Sequence, residues 1–172
     1  AQLRLQVFSD LAYGAQGIQY FTYWTPYDTV WKFNNAPISL EGKRTDSYDR
    51  VKQMNGEIKN LSYIFLGSKV ISLAHTGNPV PIGTKPLSEL PLPVKELKTE
   101  GTGAIVSVMK NGENKYLVIV NRDFLKPMKL TINCDKDVYK INKDGTKVNA
   151  DAYQSTLEVD PGDIIVYNWL EK

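Results

Sequence analysis

The stretch Gly14-Ala-Gln-Gly-Ile-Gln-Tyr-Phe-Thr-Tyr-Trp24 constrains this chain more than any other. Before it, Leu3, Val7, Phe8, Leu11, Ala12 and Ala15 recur at helical spacing, which predicts an amphipathic helix from the first turn. Gly14 and Gly17 supply a turn, and Ile18 to Trp24 reads as a buried strand. A helix that hands directly to a short apolar strand is the αβ half of a βαβ unit, the repeat of parallel α/β folds. An aromatic residue at the strand's end, followed by the Thr25-Pro26 loop, falls where barrels place their ligand-contacting groups. Side chains alternate along a strand, so Ile18, Tyr20, Thr22 and Trp24 share one face and Gln19, Phe21 and Tyr23 the other.

The expected piece is the end of a barrel rather than a whole one. Ala1 is not a methionine, no basic-then-apolar leader stands before it, and no Ser, Thr, Asp or Asn caps the first helix. Signal cleavage also exposes alanines, but with the missing cap the start favours a portion of a longer protein.

Composition bounds the remaining choices. The 172 residues suffice for one domain or two small ones, and 42% hydrophobic content supports a true core. The 21 basic and 19 acidic residues are scattered and leave a net charge of +2, which gives no footprint for nucleic acid. No apolar run approaches bilayer-spanning length, so no membrane partner is expected. The single cysteine, Cys134, excludes an internal disulfide and reads as a small buried hydrophobe.

Three regions follow along the chain. Residues 1–75 read as helix, strand, long loop and helix. The second helix begins near Asp46, capped by Thr45 or Asp46, with Val51, Met54, Ile58, Leu61 and Phe65 forming its apolar stripe and Gly67 its C-terminal stop. Lys69 to Ala74 is either a strand or the wall of a loop. Residues 76–100 hold five of the nine prolines, interleaved with aliphatics, and predict an extended connector packed on a surface. Residues 101–172 are all β, with short strands over 104–109, 116–120, 128–132, 138–141, 155–159 and 164–169. Asn111-Gly112 marks a tight hairpin, and turns follow at Lys143-Asp-Gly145 and Asp160-Pro-Gly162. Strands at this spacing form a small antiparallel β-sandwich. The expected class is α+β.

Gly14-Ala15-Gln16-Gly17-Ile18-Gln19-Tyr20-Phe21, with Tyr23-Trp24 after it, resembles the last helix-strand step of a clan A glycoside hydrolase barrel. It is most similar to the family 42 β-galactosidase type, where a Gly-Ala pair ends the helix before strand eight. A barrel, a closing helix and a C-terminal sandwich match that layout. The resemblance implies a hydrolase of β-linked glycosides whose acid/base and nucleophile are two glutamates on strands four and seven, both upstream of Ala1. No catalytic residue is therefore expected in this chain, which alone should be inactive. Asp28, Glu41, Asp46 and Asp49 form no local pair, and the last two suit the positive end of a helix dipole. The resemblance implies that Trp24 floors the reacting-sugar subsite, with Tyr23, Asp28 and Trp31 as further substrate contacts. It also implies a carbohydrate partner in the intact protein, no cofactor, and a periplasmic or extracellular location.

Each of these residues has a plainer reading as core or loop packing. His75, the only histidine, lacks companion ligands and is no metal candidate. Tyr116, Tyr139, Tyr153 and Tyr167 fit strand packing. The alternative function is a non-catalytic structural or carbohydrate-binding sandwich; the sandwich sequence shows no aromatic row, so bracing is favoured over binding. A lone barrel strand has two open edges, so a homo-oligomer or a companion chain completing the barrel is also expected.

Overall fold

The computed structural model describes residues 1–27, 30, 33–150 and 155–171. It is an α+β structure built from three helices and nine strands among these residues, with every strand pairing antiparallel. Helices α1 (Gln2–Ala12), α2 (Asp46–Asn60) and α3 (Ser62–Phe65) precede the strands. One sheet has the order β1 (Lys69–His75), β3 (Ala104–Asn111), β4 (Asn114–Asn121), β9 (Ile164–Leu170), β6 (Tyr139–Ile141), β7 (Lys147–Asn149). The other has the order β2 (Val94–Thr99), β5 (Met128–Cys134), β8 (Ser155–Val159).

The layers follow from side-chain parity. On β3 and β4, Ala104, Val106, Val108, Leu117 and Ile119 face the smaller sheet and meet Val94, Leu97, Leu130 and Ile132. The alternate residues Ile105, Met109, Tyr116, Val118 and Val120 face the helices and meet Val7, Phe8, Leu11, Met54 and Ile64. The larger sheet is thus covered on both faces, which explains why its central strands read as continuous apolar runs rather than alternating ones. Full burial of a side chain such as Phe8 or Leu117 contributes about 2 kcal/mol.

The helices form where their stripes meet this sheet. Val7, Phe8, Leu11 and Ala12 are buried on α1, while α2 buries Met54 and half-buries Val51 and Ile58. The stripe's last members, Leu61 and Phe65, lie beyond the end of α2, because the helix breaks at Leu61 and restarts as α3. Thr45 is extended at the N-cap position of α2, yet its hydroxyl donates to the Ala36 and Pro37 carbonyls (2.6 and 3.2 Å) instead of capping the helix. Gly67 has φ +78°, the left-handed stop expected there.

The sequence expectation of a strand over 18–24 is not met. Among the described residues no ladder forms along Ile18 to Tyr23, and Trp24 makes one isolated bridge, to Ile38. Strand identity requires a neighbouring backbone, and among the described residues one reaches this run only at its end, where Ile38 meets Tyr23 and Trp24. The proline-rich stretch does adhere: His75 and Leu87 exchange backbone bonds with it (His75 N–H to Lys85 O and Leu87 N–H to His75 O, each 2.8 Å), and Leu87 and Leu90 pack on the sandwich core. It also contains all of β2, whose charged Val-Lys-Glu-Leu-Lys-Thr sequence disguises an edge strand. Lys69 to His75 is a strand, paired with β3.

Candidate functional site

The segment after α1 is anchored at three places and open between them. The Gln16 amide group donates to the carbonyls of Phe65 and Ser68 (3.2 and 3.4 Å), while its oxygen accepts from Gly67 N–H (2.7 Å). Gly14 has φ +99°, and an added Cβ would sit 3.0 Å from Val70, so the chain turns tightly against β1. Ile18 and Tyr20 then pack on the helical core, and the Tyr20 hydroxyl donates to Asn55 Oδ1 on α2 (2.8 Å). Burial raises the Tyr20 phenol above its ordinary pKa, so it stays a neutral donor. Finally Ile38 N–H donates to Tyr23 O (3.0 Å), and Thr25 N–H donates to Ile38 O (2.9 Å).

Between these anchors stand open aromatics. Phe21 is 84% exposed, Tyr23 62%, Trp24 55% and Tyr27 80%. Trp24 lies over the turn at Gly42, where a Cβ would come 3.7 Å from its Cζ2 and Cη2 atoms. The expected alternation holds for Ile18 to Tyr23, but Trp24 breaks it by turning outward instead of joining Ile18, Tyr20 and Thr22. Of the four expected substrate contacts, Tyr23 and Trp24 are adjacent and accessible. Asp28 and Trp31 lie outside the described residues, as does Tyr153.

A groove of about 1150 Å³ runs beside this segment, between the first turns of α1 and α2 and past residues 33–37. Gln6, Gln19, Asn35, Thr45 and Arg50 line it with amides, a hydroxyl and a cation. Phe21 and Phe33 meet edge-to-face across it, with centroids 5.9 Å apart. Tyr23 and Trp24 are not among the lining residues. Sequence reasoning missed the Phe33–Asn35 wall; the uncharged Phe-Asn-Asn-Ala-Pro run was the available signal.

The carboxylates weighed from the sequence have modest surroundings. Glu41 accepts from the Ser39 hydroxyl (2.8 Å), which holds its pKa low, and Asp46 faces Arg50 at 3.9 Å in an exposed helical pair. No group of three or more His, Cys, Asp or Glu is placed to hold a metal among the described residues. Burial, with Asp135 nearby, pushes the Cys134 thiol up to about 11, so it carries no thiolate at neutral pH.

His75 is buried, 4% exposed, with Nε2 hydrogen-bonded to the Tyr13 hydroxyl at 2.9 Å and Nδ1 without a partner. Burial, then the Arg122 guanidinium, lowers its pKa below the ordinary value. The unfolded chain therefore takes up the proton first as pH falls. Stability should drop as pH falls below about 6.5 and level off below the folded-state pKa. Denaturant melts from pH 8 to 5 should show this slope, and His75→Gln should flatten it.

A scan against protein-family models matches none of them, and a search of the curated proteins finds no match. No helix among the described residues is long and apolar enough to cross a membrane.

Proposed function

We propose that this chain is the C-terminal portion of a glycoside hydrolase of the β-galactosidase type, acting on β-linked glycosides. The helices and the 18–24 run are the closing elements of its barrel. Its two catalytic carboxylates lie on polypeptide preceding Ala1, and a retaining reaction needs them about 5 Å apart across the scissile bond. The contribution of this chain is an aromatic wall, Trp24 with Tyr23, on which the apolar face of a sugar ring stacks. The observation that carries the reading is the open aromatic run from Phe21 to Tyr27, since core aromatics would be covered.

The sandwich takes a bracing role. Among its described residues the exposed aromatics are Phe124 and Tyr139, in different parts of the larger sheet's periphery, and they make no binding row. That weighs against the alternative of a carbohydrate-binding sandwich and leaves a structural module as the runner-up.

The test is a screen of aryl β-glycosides on the protein as its gene encodes it. Trp24→Ala should lower kcat/KM by about 30-fold, equivalent to about 2 kcal/mol of lost stacking, with Trp24→Phe intermediate. Absence of both hydrolysis and sugar binding would remove the proposal and leave the structural reading.

A further inference from the structure

The groove beside residues 33–37 is shared by distant parts of the chain. Helices α1 and α2 contribute their N-terminal turns, the run 19–22 adds a stretch, and the turn after β4 adds Phe124 and Leu125. Junctions of this kind are where ligand sites concentrate. The volume of about 1150 Å³ also exceeds the range of about 300–1000 Å³ that encloses a drug-sized ligand. A single sugar-sized ring would leave most of it empty, so the occupant it fits is an extended one.

The polar lining is unused by the protein itself. Gln2, Gln6, Gln19, Asn34 and Asn35 line the groove, and their amide groups make no hydrogen bond to any described residue. Elsewhere the same side chains hold the fold together: Gln16, Asn60, Asn111, Asn121 and Asn168 all donate to main-chain carbonyls. Each free amide offers a donor and an acceptor side by side, the pattern that adjacent sugar hydroxyls complement. Asn35 stands at φ 66°, a left-handed conformation otherwise held only by glycines among the described residues, and such backbone collects at ligand sites.

Charge and shape narrow the ligand further. Asp46 and Arg50 are the charged side chains among the described lining, one turn apart on α2 and 3.9 Å from each other. An ionic ligand is met by a cleft of one sign, whereas these two charges cancel. A peptide added as a strand needs an open sheet edge, and no strand of either sheet lines the groove. The apolar contribution comes from rings: Phe21 and Phe33 meet edge-to-face, and Phe124 is 40% exposed. The C–H faces of a sugar stack on such rings.

We propose that this groove binds an extended neutral oligosaccharide, at a site separate from the Trp24–Tyr23 wall. The site rests on its own lining and not on the hydrolase reading. In a hydrolase it retains the part of a chain remote from the reacting ring; in a non-catalytic protein it is the binding surface itself.

The test is an array of neutral and uronate-bearing oligosaccharides of one to six rings, applied to the protein as its gene encodes it. Titration calorimetry on the tightest binder follows. A neutral chain of three or more rings should bind at least about tenfold tighter than its single-ring unit. Phe33→Ala should weaken that binding about tenfold, and Gln6→Ala about threefold. Gln6 is exposed on α1, where alanine suits the helix, so this variant decides the matter if Phe33→Ala does not fold. Trp24→Ala should weaken chain binding less than Phe33→Ala does. An array that retains no neutral chain, or groove variants with wild-type affinity, would overturn the inference even in an active glycosidase. Chain binding lost in Trp24→Ala alone would assign it to the wall, and a preference for uronate chains would remove the neutral class; either overturns the proposal. Binding weakened by both groove variants, in a protein that hydrolyses no aryl glycoside, would keep the groove and sink the hydrolase reading.

Discussion

Gly103→Ala should destabilise the protein by about 4 kcal/mol or more, seen as a melting midpoint lower by about 10 °C or as failure to fold. Two chain segments cross here with nothing between them. Gly103 has φ +93°, and a Cβ on it would lie 2.5 Å from the Thr76 carbonyl carbon and 2.7 Å from Gly77 Cα, with the Thr76 oxygen nearer still. Gly77 is its mirror: φ +94°, with a Cβ meeting Thr102 and, at 2.8 Å, Arg122 Nη2. The obstacles are backbone, and they are tied down. Thr76 N–H donates to Ala104 O (2.9 Å), Ala104 N–H to the Thr76 hydroxyl (2.8 Å), and Arg122 Nη2 to Thr76 O (2.7 Å). Gly112 is the control, since φ is +59° but nothing lies within 4 Å of a Cβ. Gly112→Asn should change stability by less than about 1 kcal/mol, because asparagine tolerates that conformation. If both substitutions cost the same, backbone conformation and not the crossing is what matters.

Asp163→Asn should cost about 3 kcal/mol near neutral pH. The Asp163 carboxylate, with its side chain 6% exposed, accepts from Arg4 Nη2 (2.6 Å), from Lys143 and from Ile164 N–H (2.8 Å). Arg4 also donates to both Glu57 oxygens (3.2 and 2.6 Å), so one guanidinium joins α1, α2 and the start of β9. Removing the buried charge strands its partners, but Arg4 keeps Glu57 and Lys143 reaches solvent, which places the loss at the low end for such pairs. Burial alone would raise the Asp163 pKa; the bonds from Lys143, Arg4 and Ile164 outweigh it and the pKa is lowered. Its stabilisation is therefore complete above the unfolded value of about 3.9 and disappears as pH falls through the folded one. The gap between wild type and Asp163→Asn in urea melts should close as pH is taken toward 2. A gap unchanged at pH 2.5 would mean that the amide disturbs packing rather than charge.

What the residues disclosed in advance depended on whether their signal was local. The Asn111-Gly112 hairpin, the Gly67 stop and the stripe of α1 were legible because each is decided within one turn. Strand β2 was hidden because a charged edge strand after Pro93 looks like the continuation of a loop. The break at Leu61 left no mark, since its apolar side chain satisfies the stripe in either geometry. Within the candidate site, Tyr23 and Trp24 were expected as sugar contacts at the end of a buried strand, and their exposure follows from the missing ladder. The groove past Phe33 was not legible, because it is assembled by segments that meet only through α1 and α2. The 18–24 run was read from composition as a strand, whereas strand formation is decided by what lies alongside.

The doubly covered sheet sets how this molecule can be cut. Val118 and Leu117 are neighbours on β4 but belong to different cores, one under the helices and one under the smaller sheet. Trimming the chain to residues 101–172 would strip β1 and β2 and lay bare Ile105, Met109, Tyr116, Val118, Val120 and Val166 as one oily plane. A patch of that kind drives precipitation. The helices thus act as the protein's own solubilising coat, and any shortened version meant for the bench has to carry them.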